Sequence, residues 1–366
     1  MSAANRAEVE KTARLLGMDA DGLGFLAELP GQDVRAFREQ ASAALFDGAP
    51  EMLDRIAAAT RLVPAAVAAA ISQKALGPRL AAAVAGRLEA GRAADIIEKL
   101  PVPFTAESCA HLDPRRIGGI VDRLEEGLVV RIALALAERR DHLTMGRFVG
   151  HLRDGVLARI LERIDDTDVL RTGFYVDQPE RLPRVLELMG DDRLGSVVRA
   201  AAAAGLWEEA LAVADAVGGE QRLRIARLTA RLDGPELASL VRVTHQAGLW
   251  ERLLPLVALL DEQDRLAVAR LEPLGDPEVL AGAVRAVVAT GLWGAFLPLA
   301  GLLPADARKA VADAAAGLGD EELDALVREV AEQDLWEQAL PLVELMDDTG
   351  RQRVFDLPAF RDQPRA

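Results

Sequence analysis

The chain contains four tryptophans, Trp207, Trp250, Trp293 and Trp336, and each follows the last by 43 residues. Three sit behind Gly-Leu, as Gly205-Leu206, Gly248-Leu249 and Gly291-Leu292, and the fourth behind Asp334-Leu335. A period of this size marks stacked helical units, none of which can bury its apolar face alone. Other positions keep the same register. Leu194, Leu237, Leu280 and Leu323 share one phase, and Val198, Val241, Val284 and Val327 another. Each of those valines precedes an arginine: Arg199, Arg242, Arg285 and Arg328. Leu211, Leu254, Leu297 and Leu340 hold a further phase, and Arg222, Arg265, Arg308 and Arg351 one more. Four units run from about Gly190 to the neighbourhood of Arg361.

One unit illustrates the local physics. Asp233-Gly234-Pro235-Glu236 suits a helix N-terminus, with an acidic residue and an early proline. Leu237, Leu240, Val241 and Thr244 then form one buried stripe at i, i+3, i+4, i+7 spacing. Gly248 followed by Leu249 predicts a left-handed stop of the Schellman kind. A second helix carries Trp250, Leu253, Leu254 and Val257 inward. A third, from about Glu262, turns Leu266, Val268, Ala269 and Leu271 inward. Pro255, Pro298 and Pro341 share one slot in or just past the first turn of the second helix, with Ala212 in the first unit, and predict a local kink there. Three short helices per 43 residues match a HEAT-like or armadillo-like α-solenoid.

Composition supports an all-α reading. Apolar residues make up 51% of the chain and aromatics only 4%, so Ala, Leu and Val must build the core. No alternating β-branched run appears.

Upstream the pattern loosens. Leu88-Glu89-Ala90-Gly91, Leu124-Glu125-Glu126-Gly127 and Leu152-Arg153-Asp154-Gly155 share an L-x-x-G turn. Short helices are expected between them, over Ala93–Pro101 and Asp113–Leu124. Residues 88–165 resemble the cytoplasmic N-terminal domain of MgtE-type magnesium transporters and the related middle domain of the flagellar motor switch protein. That resemblance implies a small right-handed superhelix that regulates or couples by contact; it carries over neither a magnesium ligand nor transport. The expected fold is a right-handed α-solenoid in three stretches. Residues 1–87 form a helical cap or the first turns of the stack, with breaks at Gly17-Met18-Asp19, Leu29-Pro30-Gly31, Asp47-Gly48-Ala49-Pro50 and Gly77-Pro78. Residues 88–189 carry degenerate short-helix repeats, and 190–366 the four regular units and a tail.

Charge and composition narrow the functional classes. A formal charge of −15 opposes general binding to a phosphate backbone, so no nucleic-acid partner is expected. A lone cysteine, Cys109, fits a reducing cytoplasm, and the N-terminal stretch has no signal-peptide core. Ala286 to Ala305 carries no charge and is long enough to span a bilayer. The repeat register argues otherwise: the same slot elsewhere holds Glu208-Glu209, Glu251-Arg252 and Glu337-Gln338. No transmembrane segment is expected, but Gly294 and Ala295 point away from the core stripe and predict an apolar contact patch.

No constellation for catalysis emerges. His111, His142, His151 and His245 are scattered; Cys109 and His111 do not share a helical face, and His142 and His151 lack an acidic partner pattern. Asp19-Ala20-Asp21-Gly22 lacks the later glycine and glutamate of a calcium loop. There is no phosphate-binding or nucleophile-elbow motif, and no cofactor or metal is expected. The paired aspartates Asp165-Asp166, Asp191-Asp192 and Asp347-Asp348 read as helix caps. The tryptophans read as inter-unit core. Arg199, Arg242, Arg285 and Arg328 form either a solvated row paired with acids or a ladder for an acidic partner. The expectation is therefore a non-catalytic adaptor binding a protein partner on its concave face. A binder of an apolar small molecule or lipid is the alternative, and a HEAT-like nucleic-acid enzyme a further one.

Overall fold

A computed structural model describes residues 3–46 and 50–361, and these are helical, with no strand among them. The chain divides into two compact units, Met1–Gly190 and Asp191–Ala366.

In the first unit, α1 (Ala3–Leu16) and α2 (Gly31–Phe46) form a hairpin joined through a 3₁₀ helix at Ala20–Glu28. Gly17 takes a left-handed φ of 68° and ends α1. Helices α3 (Pro50–Thr60), α4 (Ala65–Ile71), α5 (Gly77–Ala85), α6 (Ala90–Ile97), α7 (Val102–Cys109) and α8 (Pro114–Val121) follow. Then come α9 (Glu126–Glu138), α10 (His142–Phe148), α11 (Asp154–Leu161), α12 (Asp166–Phe174) and α13 (Leu182–Leu188). Neighbours alternate between rows: α3, α5, α7, α9, α11 and α13 pack in succession, as do α4, α6 and α8, and α10 packs on α12. The expected short helices are present. The L-x-x-G motifs open helices rather than close them, since Glu89, Glu125 and Arg153 are N-caps and each glycine lies in the first turn.

The stretch 1–87 reads in the sequence as a cap or as the first turns of the stack, and its helices pack in two ways. Helices α3 to α5 extend the rows, whereas α1 and α2 pack chiefly on each other and on the 3₁₀ helix. Of the break at Asp47-Gly48-Ala49-Pro50, residues 47–49 lie outside the described residues.

The second unit repeats one helix order. First helices are α14 (Asp191–Ala204), α17 (Gly234–Ala247), α20 (Pro277–Thr290) and α23 (Asp320–Glu332). Second helices are α15 (Trp207–Ala216), α18 (Trp250–Ala258), α21 (Trp293–Ala300) and α24 (Trp336–Glu344). Third helices are α16 (Gly219–Ala230), α19 (Glu262–Ala269), α22 (Ala305–Ala316) and α25 (Asp348–Asp356), before a short α26 (Pro358–Arg361). Within each class the starting residues recur at the tryptophan spacing. Helices α15, α18, α21 and α24 pack each on the next.

Local chemistry explains the boundaries. The Asp233 carboxylate accepts from the Glu236 amide at 2.9 Å while the Glu236 side chain accepts from the Asp233 amide at 3.2 Å, a capping box. At the other end Gly248 has φ 66°, and the Leu249 amide donates to the Thr244 carbonyl at 2.8 Å, the expected Schellman closure. Asp347 caps α25 through the Gly350 amide; Asp165 makes no such bond, and Asp191-Asp192 lie in the first turn of α14. Pro255, Pro298 and Pro341 all lie inside their helices, past the first turn.

Trp207, Trp250 and Trp293 are buried, as are Leu211, Leu254 and Leu297. In α24 the pattern breaks: Trp336 is half-buried against Phe360, and Leu340 is 42% exposed. Helix α21 has second helices on both sides, whereas α24 has only α21.

Candidate functional site

Helix α1 is buried on two sides because its sequence carries two stripes. Val9 and Ala13 turn into a small core with Leu23, Leu26 and Val34. Glu8 and Lys11 turn the other way, where both are buried with Arg38 of α2 and meet Asp177, just past α12. Burying this many charges is tolerated only when they neutralise one another and fill their hydrogen-bonding capacity.

They do so here. Lys11 Nζ donates to Glu8 Oε1 at 2.9 Å and to Asp177 Oδ1 at 2.8 Å. The Arg38 guanidinium spans the pair, with Nε 3.1 Å from Glu8 Oε2 and Nη2 2.9 Å from Asp177 Oδ1. Its Nη1 reaches Asp177 Oδ2 at 3.3 Å, completing a two-pronged contact. Arg35 donates to the Asp177 backbone carbonyl. Around this hub, Arg14 pairs with Asp141 at 2.9 Å, Arg115 with Glu39 at 2.9 Å, and the Tyr175 hydroxyl donates to Glu10. The Arg6 guanidinium lies 5.1 Å from the Phe174 ring centre, within cation–π range.

A polar cavity of about 190 Å³ runs along this contact, with Lys11, Arg38, Arg115, Arg147, Asp113 and Asp177 in its wall. Arg147 Nη2 donates to the Leu112 carbonyl at 2.9 Å. Its Nε stands 4.0 Å from Asp177 Oδ2 and has no hydrogen-bond partner among the described residues. Burial lowers the Arg147 guanidinium below its ordinary value, against the pull of Asp177. Burial alone would raise the Asp177 carboxyl, but Lys11, Arg38 and Arg147 together hold it below the usual range. Asp113 is likewise opposed by burial and held low by Arg115. Burial lowers His151, with Arg115 adding to the shift against Asp113 and Asp177.

The residues singled out from sequence lie elsewhere. Arg199, Arg242, Arg285 and Arg328 occupy equivalent exposed positions on α14, α17, α20 and α23. Arg242 pairs with Glu272 and Arg328 with Asp324, while Arg199 donates to Ser196 at 3.1 Å. Gly294 is exposed and Ala295 half-buried. A Cβ at Gly294 would stand 2.8 Å from Gln333 Oε1, so a polar side chain already leans over it. No large apolar side chain described between Ala286 and Ala305 is exposed; what this stretch offers to solvent is small, with Ala289, Gly294, Gly301 and Pro304 exposed. Exposed apolar side chains gather instead near the start of the chain. Among the described residues, nine of the twelve exposed large ones fall between Met18 and Ile71, Phe25 at 66% and Leu62 at 87% among them.

His142 and His151 are not brought together: His142 bonds Asp168 at 2.6 Å, and His151 faces Gln178 at 3.4 Å. No group of three or more metal-ligating side chains is found among the described residues, and no helix there is long and apolar enough to cross a membrane. The core layers hold apolar cavities of about 90 Å³ beside Cys109 and about 70 Å³ beside Trp207. Both are smaller than the roughly 150 Å³ that accommodates benzene in an engineered core.

Sequence reasoning missed the Asp177 hub. Its one trace was a lysine, among only four in the chain, set three residues from Glu8 on the first helix. No family model matches the chain, and neither a curated protein nor a solved structure matches it.

Proposed function

We propose that this chain is a non-catalytic α-solenoid adaptor that binds a protein partner, its C-terminal unit built from four three-helix repeats. The recurrence of all three helix starts and the packing of each second helix on the next support the stacked reading. The concentration of exposed apolar side chains between Met18 and Ile71 carries the functional reading. A surface rich in large apolar groups loses free energy to water unless something covers it. The same stretch holds eight acidic residues and four arginines, and the whole chain carries −15, so a protein surface of basic character fits it better than a nucleic acid. A lone buried cysteine suits a reducing compartment.

Photo-crosslinking tests this in cells, with a reactive residue placed at Phe25 or Phe37 and a control at Leu259. The expected result is one discrete protein adduct from the first two positions, lost when Leu29 and Leu45 are changed to Ser. Equal adducts from the control position, or no adduct at all, would reject the reading.

A further inference from the structure

Residues 3–46 are fastened to their unit by charge. The apolar cluster of α1 and α2 draws on Val9, Ala13, Leu23, Leu26 and Val34, with Leu16, Ala20 and Ala27 beside it, and among the described residues on none past α2. What crosses to the neighbouring helices is mainly polar: Lys11 and Arg38 to Asp177, Arg14 to Asp141, Glu10 to Tyr175, Glu39 to Arg115. A polar cavity lies along the seam. Ion pairs in such a seam recover little net free energy, because each charge gave up water to enter it. A module with its own core, held by a polar seam, can separate without unfolding.

The seam also has a repeated chemistry. Lys11 and Arg14 are three apart on α1, and Arg35 and Arg38 three apart on α2, so each pair shares a helical face. These faces meet Asp177 and Asp141. Arg147, in the cavity wall, keeps an unused Nε donor even with the hairpin in place.

We propose that α1 and α2 act as a built-in pseudo-ligand, an ionic latch over a seat, formed by Asp141 and Asp177, that accepts a helix carrying Lys or Arg at i and i+3 from the partner protein. The nature of the occupant rests on the protein-partner reading, while the latch does not. A partner helix that supplies the same cations would replace the hairpin and free its exposed apolar side chains, Phe25 and Phe37 included, to move with it.

Two spin labels on the full chain test the latch, one at Met18→Cys and one at Arg163→Cys. Cys109 is buried, with its thiol pushed up to about 12, and stays unlabelled. The wild-type background should give one narrow distance. Lys11→Gln with Arg38→Gln, and independently Asp177→Asn, should add a broad second population at least tenfold above background with helicity unchanged. A distribution that stays narrow in both overturns the latch, as does one already broad in the wild type. The seat is probed with a synthetic peptide of residues 3–46. It should bind the double variant at least tenfold tighter than the wild type, and adding Asp177→Asn should abolish the gain. Equal binding to wild type and double variant overturns the seat, and neither measurement depends on finding the cellular partner.

Discussion

The indole N–H of Trp207 on α15 donates to the Ser239 hydroxyl on α17 at 2.8 Å. At the corresponding place in the next repeat, Gly282 replaces the serine, and the Trp250 indole N–H has no hydrogen-bond partner among the described residues. The two tryptophans are buried alike, at 2% and 3% exposed, so they differ mainly in that bond. Ser239→Ala removes the acceptor and leaves a buried donor unpaired, which costs about 1–3 kcal/mol. Urea unfolding should show a loss in that range. A loss within the error of the measurement would mean that water already serves the indole. The serine cannot simply be copied to position 282, where a Cβ would stand 2.7 Å from His245 Nδ1 and push the ring aside.

Asp334 sits at φ 54° where Gly205, Gly248 and Gly291 sit at 66°, 66° and 69°. All four end a first helix in the left-handed region, which costs a residue with a Cβ roughly 1–2 kcal/mol and glycine almost nothing. Asp334→Gly should therefore raise stability, by about 0.5–1 kcal/mol after the greater freedom of glycine in the unfolded chain is counted. Gly248→Ala should lower it by about 1–2 kcal/mol. Nothing lies within 4 Å of the added methyl there, so the loss would be backbone strain alone. Thermal midpoints moving in the same direction for both changes would refute the assignment.

These stops and the tryptophan slots were legible because their physics is local. A glycine after an apolar stripe, or a leucine three residues past an indole, carries its meaning within one turn of helix. Gly248 and the helix start at Asp233 could be placed from four residues each. The ion-pair hub was hidden because Lys11 and Asp177 are far apart in sequence and no periodicity links them. The exposed apolar surface was hidden for a different reason. Ala286 to Ala305 lost its charges, yet its large side chains are covered by neighbouring helices. Phe25 and Leu62 lie in stretches with ordinary charge content but stand in water. Composition measures what a segment contains; exposure depends on what packs against it.

Cys109 should be inert in the folded chain. Burial is the main cause that pushes its thiol up to about 12, and Asp141 adds to the effect against Arg147. Since the thiolate is the nucleophile, its fraction at neutral pH is negligible even before access is considered. A colourimetric disulfide reagent should find no reactive thiol in the native protein and one per chain in denaturant. Rapid native reaction would show that the cavity beside Cys109 opens often, and would reject it as a silent background for spin labelling.

Asp177 sets a pH limit on the hairpin seam. Burial would raise its carboxyl, but Lys11, Arg38 and Arg147 outweigh that and depress it below the unfolded value of about 3.9. A group depressed by folding contributes stability that is fully present above its unfolded pKa and lost as pH falls through the folded one. Asp177→Asn keeps the shape but leaves Lys11, Arg38 and Arg147 without their shared counter-charge. Losing one member of a buried ion-pair network costs up to about 3–5 kcal/mol; a hairpin that swings out returns its cations to water, so the gap between wild type and variant at neutral pH should be measurable but below that range. The gap should hold down to about pH 5, narrow below about pH 4 and close at lower pH, once the wild-type carboxyl is itself protonated. Denaturant titrations of both proteins at several pH values would trace it. A gap unchanged between pH 7 and pH 3 would mean that the carboxylate charge does not hold the seam, and that Asp177 acts there only through its shape.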